Sequence, residues 1–437
     1  MKRLLILLLA GALPAMAAEI PASIRGTRAL GMGDALTAVA DDQNIFFYNP
    51  AGTVQRTGSL MTVADISATV SKDFIDLATF IGDNEDSLKN FDTLTPGEQA
   101  DLVNKITAEM VGLKPTFGAS LPNVSYLSGP MFGGLHWGAG AFAQVSGVVG
   151  FNPVIISPSL YYNVNADAIF PMNLAVKVKH LPFIPGGLGL GANLKYIQRG
   201  RVQEDSVDVF AMDNYSGPPA QMGHGVGMDF GAIYSPTPRW NIAATMMDFG
   251  GTSISFDALE AKDGFDAKAS FTESIRQRVN LGVAWTPGRV GFSSFGIPLH
   301  DRLVLAADVR DIVNADSKII ENGGLADTAG THFHLGAEYR WWFLRFRAGA
   351  NQGYFTGGLG VDWPMIKLDY AYYADELSLF AGGERHPAHR LSVSFSFGSG
   401  NTEGRERIKE ATAPKAPPAT AAPSATPPAP AEKPAVQ

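Results

Sequence analysis

The sequence predicts an all-β fold, a transmembrane antiparallel β-barrel of about fourteen strands with an N-terminal plug and a short helical insertion. Three observations lead there. Most of the C-terminal half is built of segments in which large apolar and polar residues alternate. The connections between those segments fall into a short class and a long class that mostly alternate along the chain. Five of the six tryptophans, Trp240, Trp285, Trp341, Trp342 and Trp363, fall at the connections of one side, every second connection along the chain.

The alternation is plainest near the end of the chain. Leu391, Val393, Phe395 and Phe397 alternate with Ser392, Ser394 and Ser396, so one strand face is apolar and the other carries hydroxyls. Ile366–Tyr373, Leu344–Asn351 and His332–Arg340 repeat the pattern with Lys, Asp, Glu and Arg on the second face. A soluble sandwich would turn its apolar faces inward, whereas an outer-membrane barrel turns them to lipid and lines its lumen with charge and small residues. Clustered charge and glycine on one face across consecutive hairpins favours the barrel.

Candidate strands fall near 59–68, 116–124, 133–144, 154–165, 173–179, 187–198, 225–235, 239–248, 277–286, 301–310, 331–340, 344–351, 355–363, 365–373 and 388–397. These are fifteen. Single-chain bacterial barrels hold an even number, so one early candidate is a bent half or a non-spanning piece and the expected count is fourteen. With the chain end taken as periplasmic, 341–343, Pro364 and 235–238 are short inner turns, and 199–224, 249–276, 311–330 and 374–387 are long outer loops. Two connections break the pattern: 352–354 is a short outer turn and 287–300 a long inner one. The tryptophans then form a girdle at the periplasmic interface.

Other segments frame the barrel, residues 57–398. Lys2 and Arg3, an apolar run from Leu4 to Leu9 and the small residues Ala15–Ala18 read as a secretory signal over residues 1–17. Residues 18–56 are too many for a lead-in and apolar enough to be buried, so they are read as a plug filling the wide lumen of such a barrel. Between the first two strands, Thr95 with Glu98 makes a capping box, Pro96 suits a first helical turn, and Ala100, Val103, Ile106, Thr107 and Met110 recur at helical spacing. A helix over 96–111 follows, in a long outer loop or folded over the mouth. Residues 399–437, rich in Ala and Pro, are expected to form a disordered periplasmic tail.

Composition narrows the function. The absence of cysteine excludes disulfides, thiolate metal sites and a lipoprotein anchor. A net charge of -8 gives no reason to expect nucleic acid as a partner. No Gly-x-Ser-x-Gly elbow or zinc-helix motif is present, so no enzyme activity, cofactor or metal is expected. His332, His334 and Glu338 are read as polar lumen residues rather than metal ligands.

The stretch RALGMGDALTAVADDQNIFFYNPAG, Arg28 to Gly52, is the most distinctive motif. Its Ala-Leu-Gly-Met-Gly start, acidic pair and Asn-Pro-Ala close resemble the N-terminal hatch of FadL-like outer-membrane transporters, a superfamily that includes PorV-type and TraF-labelled proteins. By motif the matching positions are Gly31, Gly33, Asp41, Asp42, Asn49, Pro50 and Ala51. The resemblance implies an outer-membrane location in a Gram-negative bacterium with both termini periplasmic, and passage or binding of a small hydrophobic solute through a plugged barrel. The alternative is a non-transporting barrel acting as a secretion or assembly partner, with a protein docked on its outer loops or periplasmic tail. Expected partners are thus outer-membrane lipid, a hydrophobic small molecule or a protein. The candidate lumen residues are Lys195, Asp229, Arg278, Asp308, Glu338, Arg340, Arg345, Arg347 and Asp369, which either tune passage or hold the plug by ion pairs.

Overall fold

The computed structural model describes residues 24–110, 112–152, 159–178, 185–208, 219–261, 267–287, 302–314, 330–377 and 383–398. The expected export signal, the expected tail and most of the 287–300 connection lie outside them. Among the described residues, seventeen strands form one antiparallel sheet: β1 (Leu60–Ser71), β2 (Thr116–Ser120), β3 (Val124–Leu127), β4 (Leu135–Asn152), β5 (Ser159–Val178), β6 (Gly187–Asp208), β7 (Gln221–Thr237), β8 (Trp240–Met247), β9 (Thr252–Phe256), β10 (Phe271–Ile275), β11 (Arg278–Trp285), β12 (Arg302–Val309), β13 (Phe333–Trp341), β14 (Leu344–Asn351), β15 (Tyr354–Trp363), β16 (Ile366–Glu376) and β17 (Arg385–Gly398). β1 pairs β17 on one side and β2 and β3 on the other, so the ladder closes.

Three staves are each built of two consecutive segments, β2 with β3, β8 with β9 and β10 with β11, so the ring has fourteen staves. The count is even because the candidates at 154–165 and 173–179 are the two ends of β5. Asn165, Asp167, Pro171 and Asn173 had interrupted its apolar pattern. They fit because Asn165, Asp167 and Asn173 point into the lumen, where polar groups find partners. The candidate at 116–124 is instead cut in two, and Asn123 bridges the cut: its backbone exchanges hydrogen bonds with Asp65 on one side, and its Oδ1 accepts from Ala143 N on the other.

The outward positions carry an apolar band, with Ile66, Met172, Leu194, Met228, Leu281, Leu335 and Leu391 all exposed. In a closed barrel this is a lipid-facing surface. All six tryptophans lie at one end, because Trp137 starts β4 beside the other strand ends of that rim. Gly398 lies at the Trp-rich end as well, paired with Leu60. The opposite rim holds the short turn expected near 352–354, where Gln352 and Gly353 adopt φ of 52° and 91° as a tight hairpin demands.

Strands β4 to β7 run 17 to 22 residues and overshoot their neighbours at the end opposite the tryptophans. Helices α3 (Lys72–Asp83), α4 (Glu85–Lys89) and α5 (Pro96–Met110) cover this overshoot; the labels follow α1 (Thr27–Gly31) and α2 (Ile45–Tyr48) of the N-terminal segment. Thr95 and Glu98 close the expected capping box of α5. The helices do not fold over the mouth. Leu77, Phe80, Leu102, Ile106 and Met110 bury themselves against Val149, Leu160, Tyr162 and Val207, whose register places them on the outward face of the wall. Above the lipid band an apolar outer face needs a cover, and the insertion supplies it.

Candidate functional site

Residues 24–56 lie inside the ring and fit a plug. Leu30, Met32, Leu36, Val39, Ile45, Phe46 and Phe47 are all buried. The seat depends on close backbone approach. Gly33 has φ of +61°, and a Cβ there would sit 2.2 Å from the Leu335 carbonyl oxygen and 2.5 Å from that of Ala350. Its N–H donates to Thr356 Oγ1 at 3.0 Å, and its carbonyl accepts from His334 Nδ1 at 3.0 Å. A Cβ on Gly31 would come within 3.2 Å of Gly358 Cα. The wall answers with its own glycines: Gly191 on β6 and Gly231 on β7 leave room for Asn49, Pro50 and Ala51.

The closing turn is a cap. Asn49 is fully buried, its Oδ1 accepts from Ala51 N at 2.9 Å, and Pro50 opens the 3-10 turn Pro50–Gln55. The Asn49 amide donates to Thr37 O at 2.8 Å, tying the closing turn to the middle of the motif. Asn173 of β5 donates to Pro50 O at 3.0 Å and accepts from Thr53 Oγ1 at 2.6 Å. Asn193 of β6 donates to Phe46 O at 3.1 Å.

The acidic pair serves one arginine. Arg28 Nη1 lies 2.6 Å from Asp41 and 3.0 Å from Asp42, while its Nε donates to Glu338 of β13 at 3.0 Å. Glu338 also accepts from Arg347 Nε at 2.9 Å, and Arg347 pairs with Asp369. A second lock is centred on Asp34, which accepts from Tyr48 and pairs with Arg310 and, at 3.4 Å, Arg25; Arg25 reaches Asp375 at 2.8 Å. Burial alone would raise the Asp34 carboxyl, but Arg310 and Arg25 prevail and hold it below the usual carboxylate range.

All nine expected lumen residues face inward, in separate groups. Glu338 and Asp308 touch the plug directly; Asp308 accepts from Thr37 N at 2.8 Å. Lys195 joins Asp229 at 2.8 Å and Asp248 at 2.9 Å, and Asp248 joins Arg278 at 3.2 Å, a cluster confined to the wall. Arg345 pairs with Asp362, and Arg340 lines a cavity at the Trp-rich end. His332 Nδ1 lies against Arg310 O, so the two histidines and Glu338 each have protein partners. Arg25, Arg28, Asp34, Tyr48, Asp248 and Arg310 were not singled out in the sequence, since no local pattern marks partners that lie up to 350 residues away.

A further feature lies beside the plug. Phe142 of β4, Ile169 of β5, Ile197 of β6, Gly225 of β7 and Ile254 of β9 are successive cross-strand neighbours, a single row along the inner wall. Phe46 and Phe47 pack edge-on to Phe142, with ring centroids 5.5 and 4.9 Å apart. One signal was visible: Ile197 follows Tyr196, two bulky residues where alternation calls for one.

Solved transporter structures are similar to this chain. They include a toluene transporter of Pseudomonas putida, TodX (11% identity over 87% of this chain and 98% of that chain, TM-score 0.45). The Ralstonia pickettii toluene transporter TbuX matches at 14% identity over 85% and 97%, TM-score 0.46. A Pseudomonas aeruginosa FadL homologue matches at 12% over 90% and 100%, TM-score 0.43. The last of these is a homologue of FadL, the family whose N-terminal hatch the motif resembles. No protein-family model and no curated protein matches the chain. The barrel itself rests on the closed strand ladder described above.

Proposed function

We propose that this chain is a plugged barrel of a Gram-negative outer membrane that binds and passes a small hydrophobic solute, with its Trp-rich end facing the periplasm. The observation that carries the reading is the row Phe142, Ile169, Ile197, Gly225 and Ile254. Inward positions of a water-filled barrel are polar. Here four large apolar side chains on neighbouring staves face the lumen, and Phe46 and Phe47 of the plug lie in the same buried cluster.

The two sides of the plug are held differently, which gives it a direction to yield. Toward β12–β16 it is fastened by ion pairs at Arg28, Arg25 and Asp34. Toward β4 its aromatic contacts are apolar. A hydrophobic solute can replace Phe46 and Phe47 on the row at little cost in exposed apolar area, roughly 25 cal/mol per Å² being at stake. A polar solute cannot.

The test is uptake of naphthalene by vesicles with a lipopolysaccharide outer leaflet. Protein-bearing vesicles should fill faster than bare ones, and Ile197→Asp, which puts a charge on the row, should return the rate to the bare level while the barrel stays assembled. A wild type no faster than bare vesicles, or an Ile197→Asp variant as fast as wild type, would overturn the reading.

A further inference from the structure

The face that looks away from the lumen changes character along β16 and β17. From the Trp-rich end toward the opposite rim, the outward positions of β17 run Phe395, Val393, Leu391, His389, Pro387 and Arg385. Those of β16 beside them run Ile366, Leu368, Tyr370 and Tyr372. Each strand passes from purely apolar side chains to rings with a polar edge, and β17 then reaches a cation. The distance fits a membrane. Ile366, the cross-strand neighbour of Trp363, pairs with Phe395, and Arg385 stands ten residues farther along β17. Ten residues of strand span roughly 33 Å, which at a tilt of about 40° rises roughly 25 Å, the height of the apolar band of such a barrel. Arg385 is therefore level with the far interface, where acyl chains end and headgroups begin.

Its neighbours hold this exposed arginine in place without neutralising it. Arg385 Nη2 donates to the Tyr372 hydroxyl, and the guanidinium lies over the Tyr354 and Tyr372 rings, 5.9 Å from each centroid. Lower on the same face the Tyr370 hydroxyl meets His389 Nδ1 at 2.8 Å, so these two polar groups partner each other where lipid offers nothing. Among the described residues the partners of Arg385 are tyrosines. The adjacent carboxylates are engaged elsewhere: Glu384 pairs with Lys114 at 2.6 Å, and Glu376 accepts from the Tyr354 hydroxyl, Gly383 N and Glu384 N. Residues 378–382, Ser-Leu-Phe-Ala-Gly, bring no acid to the loop. A guanidinium fork matches the oxygens of a phosphate bidentately.

We infer that Arg385, held by Tyr372, binds the phosphate of a phosphorylated glycolipid of the outer leaflet, whose acyl chains lie along Leu368 and Leu391. A soluble anion meets the same fork but leaves the exposed leucines below it uncovered. One lipid molecule satisfies both, because its charge and its chains are joined at the height where the strand face turns from apolar to cationic. The choice of glycolipid rests on the orientation proposed above, in which the Trp-rich end faces the periplasm.

The experiment adds bisphosphorylated lipid A, or the same lipid stripped of its phosphates, to the full-length protein in detergent and counts the retained lipid by native mass spectrometry. The wild type should hold the phosphorylated form about tenfold more, the ratio that a charge-assisted hydrogen bond supplies. R385Q should lose that preference, whereas R239Q, which removes an exposed arginine from the turn at the Trp-rich rim, should keep it. Excess inorganic phosphate should not displace the lipid. Equal retention of the two lipids by the wild type overturns the proposal and needs no variant to assemble. An R385Q preference equal to wild type, an equal loss in R239Q, or displacement by inorganic phosphate overturns it as well. A micelle has no leaflets, so this measurement judges the site alone, while the orientation is judged by which rim intact cells expose.

Discussion

Arg28 shows how much a single side chain can do in a low-dielectric lumen: it joins the plug's acidic pair to Glu338 of the wall. Breaking a buried, hydrogen-bonded pair from one side costs about 3–5 kcal/mol, more than the pair is worth against an apolar replacement of both partners. Arg28→Met should therefore loosen the plug more than Arg28→Met combined with Glu338→Gln does, an ordering that protease sensitivity of the N-terminal segment in the folded barrel would report. Equal sensitivity of the two would show that Glu338 is content with Arg347 alone. The Asp34 lock adds a pH dependence. Its carboxyl is depressed in the folded state, so its contribution is fully present above the unfolded value of about 3.9 and is lost as pH falls below it. The loss of plug protection that this carboxyl causes should thus set in only below pH 5; a loss already complete at pH 6 would exclude Asp34 as the sensor. At this scale the sequence was half legible. Gly31, Gly33, Asn49 and Pro50 stood out because few residue types meet their backbone demands, whereas Arg28 and Asp34 are ordinary until the far strands arrive.

Elements were legible where one pattern ruled and illegible where two overlapped. From β13 to β17 alternation alone placed each strand within a few residues, since lipid outside and charge inside leave no ambiguity. Strand β5 read as two because its inward face binds the plug, and Asn173 and Pro171 look like a break until Pro50 and Thr53 supply the partners. The helix over Pro96–Met110 was readable from its cap and spacing, but α3 was not recognised and the docking face of both was not foreseen. That face predicts an outcome. Phe80→Asp puts a charge against Val149 and Tyr162, at a cost of the order of the 3–5 kcal/mol typical of losing a buried Phe. The helices should detach and become cleavable by trypsin at Lys89 and Lys105, while the wall, whose ladder does not involve them, keeps its assembly. The closing turn makes a parallel test: Asn49→Ala with Pro50→Ala removes a cap worth about 1 kcal/mol and frees the chain of the unseated state. Planar bilayers should show more conductance from this variant than from wild type. Equal closure in an assembled variant would mean that the motif only shapes the plug.

For the whole molecule, closure is what the fourteen staves achieve: no strand edge is left for detergent to open, so the unheated protein should run faster on a gel than the heated one. Which way the barrel points depends on asymmetry between its rims. One rim has all six tryptophans, tight turns at Trp342–Phe343 and Pro364–Met365, and the strand end Gly398; the other has the long strands and the helices. Short turns belong to the periplasmic side and elongated loops to the outer one. The chain lacks cysteine, so a single introduced thiol reports its own position without background. Gly82 is a clean site on the helical side, since a Cβ there meets nothing within 4 Å. Phe132, 95% exposed in the turn between β3 and β4, is its counterpart at the Trp-rich rim. In intact cells a membrane-impermeant maleimide should label Gly82→Cys and leave Phe132→Cys untouched, and lysis should expose both to the reagent. The reverse pattern would turn the barrel over.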